Sequence, residues 1–118
     1  MSTRSAGMAA ERRVAEWLES QYGYRIIVRN YRSRFGEVDL IAEEAGVLCF
    51  IEVRSRTTSR YGTALETISY EKRRRIARTA HLYLIVNNLE SKPCRFDVVT
   101  IQDDKPPHLL RDAFHVPE

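Results

Sequence analysis

The chain has 118 residues, of which 43% are hydrophobic and 30% charged, with a formal net charge of +3. That length fits one domain with a single core, and no stretch approaches the ~20 consecutive apolar residues needed to span a bilayer. The start, Met1 to Gly7 running into Glu11-Arg12-Arg13, lacks the apolar core of a secretory signal, so a cytoplasmic protein without a membrane partner is expected.

The first predicted element is a helix from about Gly7 to Gln21, with Ala10, Val14, Trp17 and Leu18 as its apolar stripe and Gly23 as its stop. Tyr24 to Arg29 reads as a strand around Ile26-Ile27-Val28. Asn30 to Phe35 is expected to be a basic connector. Two runs, Glu37 to Glu43 and Val47 to Arg54, then read as a β-hairpin turning through Glu44-Ala45-Gly46. After an irregular stretch from Tyr61 to Thr67, Ser69 is a fitting N-cap and Glu71 an acid in the first helical turn, where the helix dipole favours it. That helix runs to about Val86, burying Ile76, Ala77, Ala80, Tyr83 and Leu84. Cys94 to Ile101 is a further strand. Pro106-Pro107 breaks the chain before a tail, His108 to Phe114, expected as a peripheral edge strand or turn of a single domain spanning 1–118. A hairpin followed by a helical crossover predicts an α/β fold, a mixed sheet with helices packed on it.

The two cysteines, Cys49 and Cys94, fall in apolar strand-like runs and are expected to be reduced core residues. No Cys/His spacing suggests zinc. Lysine occurs only at Lys72, Lys92 and Lys105, so sixteen of the nineteen cations are arginine. They cluster at Arg29 to Arg34, Arg54 to Arg60 and Lys72 to Arg78. Arginine forks onto phosphate oxygens, so such clusters suit a nucleic-acid partner, although each also fits a plain solvated face.

The hairpin carries the candidate chemistry. If its loop centres between Ala45 and Gly46, opposed residue numbers sum to 91 and Asp39 faces Glu52, with Cβ atoms ~4.5–5.5 Å apart. Glu37, Asp39 and Ile41 would share one face, as would Leu48, Phe50, Glu52 and Arg54. Two carboxylates that close repel, and a hard divalent cation relieves the repulsion. Glu11 stands three, four and seven positions before Val14, Ala15 and Leu18, at the margin of the buried stripe, and is a third candidate ligand. Such a site suits phosphodiester hydrolysis, with nearby cations stabilising the developing charge.

Gly36-Glu37-Val38-Asp39-Leu40-Ile41 followed by Phe50-Ile51-Glu52-Val53-Arg54-Ser55-Arg56 resembles the YraN-like family, of the PD-(D/E)XK nuclease superfamily and similar to archaeal Holliday junction resolvases. The resemblance extends to Glu11, Asn30-Tyr31-Arg32, Tyr61-Gly62, Lys72-Arg73-Arg74-Arg75-Ile76, Cys94 to Val99 and Asp112-Ala113-Phe114. It implies a restriction-endonuclease-like mixed sheet and an endonuclease-like protein acting on DNA, branched or structured DNA included. Asp39, Glu52 and Glu11 would bind Mg2+ or Mn2+. The superfamily's catalytic lysine falls at Arg54, which can hold a phosphate but cannot act as a base; Lys72 is a candidate substitute. Arg32, Arg34, Arg54, Arg56, Arg60, Lys72, Arg73 and Arg74 would contact nucleic acid. The resolvase analogy admits a homodimer. The alternative is a non-catalytic nucleic-acid-binding module that kept the fold. Asp97 is expected to be structural, satisfying loop amides.

Overall fold

A computed structural model describes residues 3–56, 68–102 and 105–116. The chain runs α1 (Thr3–Tyr22), β1 (Arg25–Ser33), β2 (Gly36–Glu44), β3 (Val47–Arg56), α2 (Tyr70–Val86), β4 (Cys94–Gln102) and β5 (His108–Leu110). The five strands form one sheet in chain order. Hairpin neighbours pair antiparallel, whereas β3 and β4, joined across α2, pair parallel. The result is the restriction-endonuclease-like α/β architecture that the sequence predicts.

Each face of the sheet packs on one helix. Under α1, Val14, Ala15 and Leu18 meet Leu40, Ala42, Cys49, Ile51 and Val99. Under α2, Ile76, Ala80 and Tyr83 meet Val38, Ile41, Leu48, Phe50 and Val98. The helices start and stop where local chemistry directs. The Ser69 hydroxyl accepts from the Lys72 amide at the start of α2, and Gly23, at φ +70°, reverses the chain after α1. The β2–β3 loop is two residues, Ala45 (φ +50°) and Gly46 (φ +83°). Both sit in the left-handed region that a type I′ hairpin turn demands.

Three expectations need correction. The basic connector is mostly strand: β1 continues to Ser33, with Tyr31 opposite Val38 and Arg32 opposite Glu37. Asn30 makes this possible by taking φ +55°, a conformation asparagine tolerates better than most residues. On α2 it is Thr79 that is buried, while Ala77 and Leu84 are only half-buried. The tip of the β1–β2 hairpin reaches beneath that side of the helix. Ser33 Oγ lies 2.8 Å from Thr79 Oγ1, and a Cβ on Gly36 would stand 3.4 Å from Arg75 Cβ. Finally, Cys94 is exposed, at the start of β4, whereas Cys49 is core; both are free thiols.

The tail joins the core. Phe114 is buried and stacks on Phe96 with ring centroids 5.0 Å apart, and the Ala113 amide donates to the Phe96 carbonyl at 2.7 Å. Fully buried Asp97 fixes this arrangement, in keeping with its expected structural role. It accepts from the Tyr24 hydroxyl at 3.0 Å, from Arg95 Nε at 2.9 Å and from the Asp112 amide at 2.9 Å. Arg95 and Arg111 both reach Glu44, whose carboxyl they hold down to about 2. Asp97→Ala removes a fully buried acceptor shared by the Tyr24 hydroxyl, the Asp112 amide and Arg95, leaving part-buried Arg95 with Glu44 alone, and should cost about 3–5 kcal/mol in urea unfolding. Arg111→Ala, on the exposed rim of the same network, should cost under ~1 kcal/mol.

Candidate functional site

The β2–β3 register pairs Leu40 with Ile51, Ile41 with Phe50 and Glu44 with Val47. These pairs have the register sum anticipated from the loop. The ladder stops at Leu40/Ile51, one pair short of Asp39 and Glu52. Instead of a backbone carbonyl, Asp39 Oδ2 accepts the Val53 amide at 2.8 Å. The acid thus takes over a main-chain acceptor's place where the strands part.

Side-chain alternation slips at the same point. Val38 and Ile41 both belong to the core under α2, whereas Leu40 and Ala42 belong to the core under α1. Strict alternation would put Val38 with Leu40, so the expectation that Glu37, Asp39 and Ile41 share one face does not hold. Asp39 instead neighbours Glu11 of α1, whose charge helps to raise its carboxyl. Glu11 in turn lies near the side chain of Asn30, the residue of unusual φ in β1. Its Oε2 is buried with no hydrogen-bond partner.

Glu52 keeps its expected face. It is 5% exposed, and its Oε1 lies 2.9 Å from Lys72 Nζ and 4.0 Å from Arg54 Nη1. Lys72 stands in the first turn of α2, so the Ser69 cap that starts the helix also sets where this ammonium comes down. The structure therefore brings Arg54 and Lys72 to the same carboxylate.

Burial governs the electrostatics. Desolvation pushes the Glu52 carboxyl up to about 7, with the neighbouring Asp39 charge adding and Lys72 opposing. Asp39 is raised by desolvation and by Glu11, against the Val53 hydrogen bond. Glu11 is raised too, chiefly by its own burial. Among the described residues no group of three or more His, Cys, Asp or Glu side chains stands in metal-holding geometry. In chemical kind the acids nonetheless suit a hard cation: all are carboxylates, all are penalised when charged, and Glu11 Oε2 lacks any partner.

The expected nucleic-acid contacts stand in several settings among the described residues. Arg32 pairs with Glu37 at 3.2 Å. Arg73 is half-buried, donating from Nε to the Ile68 carbonyl and lying over the Phe114 ring. Arg34 lies over Phe35, at the tip of the β1–β2 hairpin, and Arg74 lines the groove beside α2 that Phe35 also borders. Of Arg56 only the backbone, in β3, is described; Arg60 and Tyr61-Gly62 lie outside the described residues. Asn30 is the residue that sequence reasoning left out of the site. Its place in Asn30-Tyr31-Arg32, one of the runs that carry the family resemblance, was the one available signal. No described helix is long and apolar enough to cross a membrane.

Residues 10–101 match the model of a family described as uncharacterised protein family UPF0102. A UPF0102 protein of Symbiobacterium thermophilum is 47% identical over 117 residues, covering 96% of this chain and 98% of its own. One from Lachnoclostridium phytofermentans is 45% identical over 97% of this chain and 96% of its own, and one from Persephonella marina 41% over 92% and 91%.

A group with a carboxyl raised by folding holds more protons folded than unfolded, so between the ordinary glutamate value of 4.5 and about 7 its contribution to stability falls as pH rises. Asp39→Asn keeps an oxygen for the Val53 amide while removing one of the crowded charges. It should stabilise the fold by roughly 1–3 kcal/mol at pH 8 in urea titrations, with the gain vanishing near pH 5.

Proposed function

The chain belongs to the UPF0102 family, and for this member we propose a metal-dependent phosphodiesterase that cuts DNA, branched or otherwise structured DNA being the class it would meet. The observation that carries this reading is the meeting of buried Asp39 and Glu52 at the parting of β2 and β3, with Lys72 Nζ 2.9 Å from Glu52. Burying two neighbouring acids costs stability, and a purely structural site of this size would be better served by apolar side chains. Costs of this kind concentrate where chemistry needs them.

Asp39 and Glu52 would hold Mg2+ or Mn2+, with Glu11 as a third ligand directly or through water. Such an ion supplies charge neutralisation at the scissile phosphate and lowers the pKa of attacking water. The remaining work falls to side chains of this chain. Were the acids to hold such an ion, Lys72 would no longer be needed to balance Glu52, and its ammonium would be placed to donate to a phosphate oxygen or to orient the attacking water. Arg54, beside it, can fork onto the same phosphate. The Val53 amide holds Asp39 in place.

A second reading has its own support. Glu52 is already neutralised by Lys72, and arginine stands at position 54 where the resemblance expects lysine. A module that binds nucleic acid without cutting it would show both features.

Incubation with Holliday-junction, flapped and single-stranded DNA in Mn2+ separates the two. The nuclease reading expects cleavage of at least one substrate, abolished by Asp39→Ala. Lys72→Met should slow cleavage by roughly a hundredfold while leaving calorimetric Mn2+ affinity intact or improved. Salt-sensitive binding without cleavage, unaffected or strengthened by Asp39→Ala, would instead establish the binding module.

A further inference from the structure

A second feature lies on α2, apart from the acids. Between the helix, the β1–β2 hairpin tip and the start of β4 runs a groove of about 870 Å³, bordered by Phe35, Arg74, Arg78, His81 and Phe96. That volume lies within the ~300–1,000 Å³ typical of ligand sites. Arg34 lies over the Phe35 ring at 4.9 Å and Arg78 at 5.9 Å. Among the described residues neither Arg34, Arg74 nor Arg78 has an acidic partner within ion-pair distance, although Arg25, Arg29, Arg32, Arg75, Arg95 and Arg111 all do. These three cations are gathered around one aromatic ring and one apolar cleft. None of Glu11, Asp39, Glu52 or Lys72 borders it.

We propose that this groove binds an unpaired, single-stranded segment of DNA, with a base seated in the cleft against Phe35 and the backbone phosphates on Arg34, Arg74 and Arg78. The proposal rests on the nuclease-fold reading above and names its substrate class: DNA with a frayed or branched single strand. Aromatic faces take any unstacked base, and arginines beside them track the backbone. A duplex, with its bases stacked inside, offers the cleft nothing to hold. The two sites share a helix. Lys72 and Arg78 are six residues apart, about 9 Å along the axis at ~1.5 Å per residue. A strand leaving the groove could thus reach the acids within a few nucleotides.

Cys94 also borders the groove and is exposed, whereas Cys49 is buried, so the native chain carries its own reporter. In EDTA, which removes metal and cleavage from the experiment, a ten-residue oligo(dT) should slow alkylation of Cys94 and bind more tightly than a hairpin duplex of equal phosphate count. Phe35→Ala should weaken oligo(dT) binding roughly tenfold with little change for the duplex. Arg74→Gln/Arg78→Gln, at two exposed helix positions, should weaken it without touching the core. Unchanged Cys94 reactivity, or equal affinity of wild type and these variants, overturns the proposal, as does equal protection of Cys94 by a polyglutamate peptide. Oligo(dT) binding that depends on Phe35 in a chain that cuts no DNA would sink the nuclease reading and leave this one standing. Cleavage indifferent to Phe35 would do the reverse.

Discussion

Everything at the candidate site follows from one constraint: two acids are buried side by side where a β-ladder ends. Asp39 and Glu52 are 7% and 5% exposed, in a sheet whose neighbouring residues at that level are Leu40, Ile51 and Val98. Little water reaches them to share the charge, so the chain itself must answer it. It does so with a main-chain amide for Asp39 and an ammonium for Glu52, while Glu11 of α1 adds a third acid beside them. Each answer comes from a different element, which ties α1, the hairpin and the start of α2 to one point.

That arrangement gives α2 several duties. Its Ser69 cap fixes the first turn and therefore Lys72. Its buried side, Ile76, Thr79, Ala80 and Tyr83, holds the sheet and receives the β1–β2 hairpin tip through Thr79. Its outer side sets Arg74 and Arg78 beside Phe35. A helix pinned by a cap, a core and a hairpin is a rigid support, and rigid elements hold reacting groups more closely than loops do. At the far end of β4, the network around Asp97 draws Tyr24, Arg95 and the tail together, closing the opposite side of the sheet without involving the acids.

Much of this was legible in the residues. The periodicities of Val14 to Leu18 and Ile76 to Tyr83 marked both helices, and the Ala45-Gly46 turn fixed the register that brings Asp39 toward Glu52. The meeting of Lys72 with Glu52 was open only as a candidate substitution, because a contact across the sheet depends on where a helix begins in space and not on spacing in the chain. The continuation of β1 through Arg29-Asn30-Tyr31-Arg32 was hidden by its polarity. An edge strand with one exposed row carries charges freely, and the φ of Asn30 follows from tertiary pairing. The slip of alternation at Asp39 was hidden for the same reason: period-two reasoning assumes a regular pleat, and the site lies where the pleat breaks. The groove beside Phe35 left no linear trace, since Phe35, Arg74 and Phe96 belong to three separate elements.

The central claim is that Asp39 and Glu52, with Glu11 at hand, form a cation site. Anomalous diffraction from crystals soaked in Mn2+ addresses it directly. The account predicts a single strong peak within ~2.0–2.6 Å of carboxylate oxygens from both Asp39 and Glu52, with Lys72 Nζ drawn away from Glu52. Well-ordered crystals with no peak there, and with Lys72 still paired to Glu52 at full manganese concentration, would contradict it.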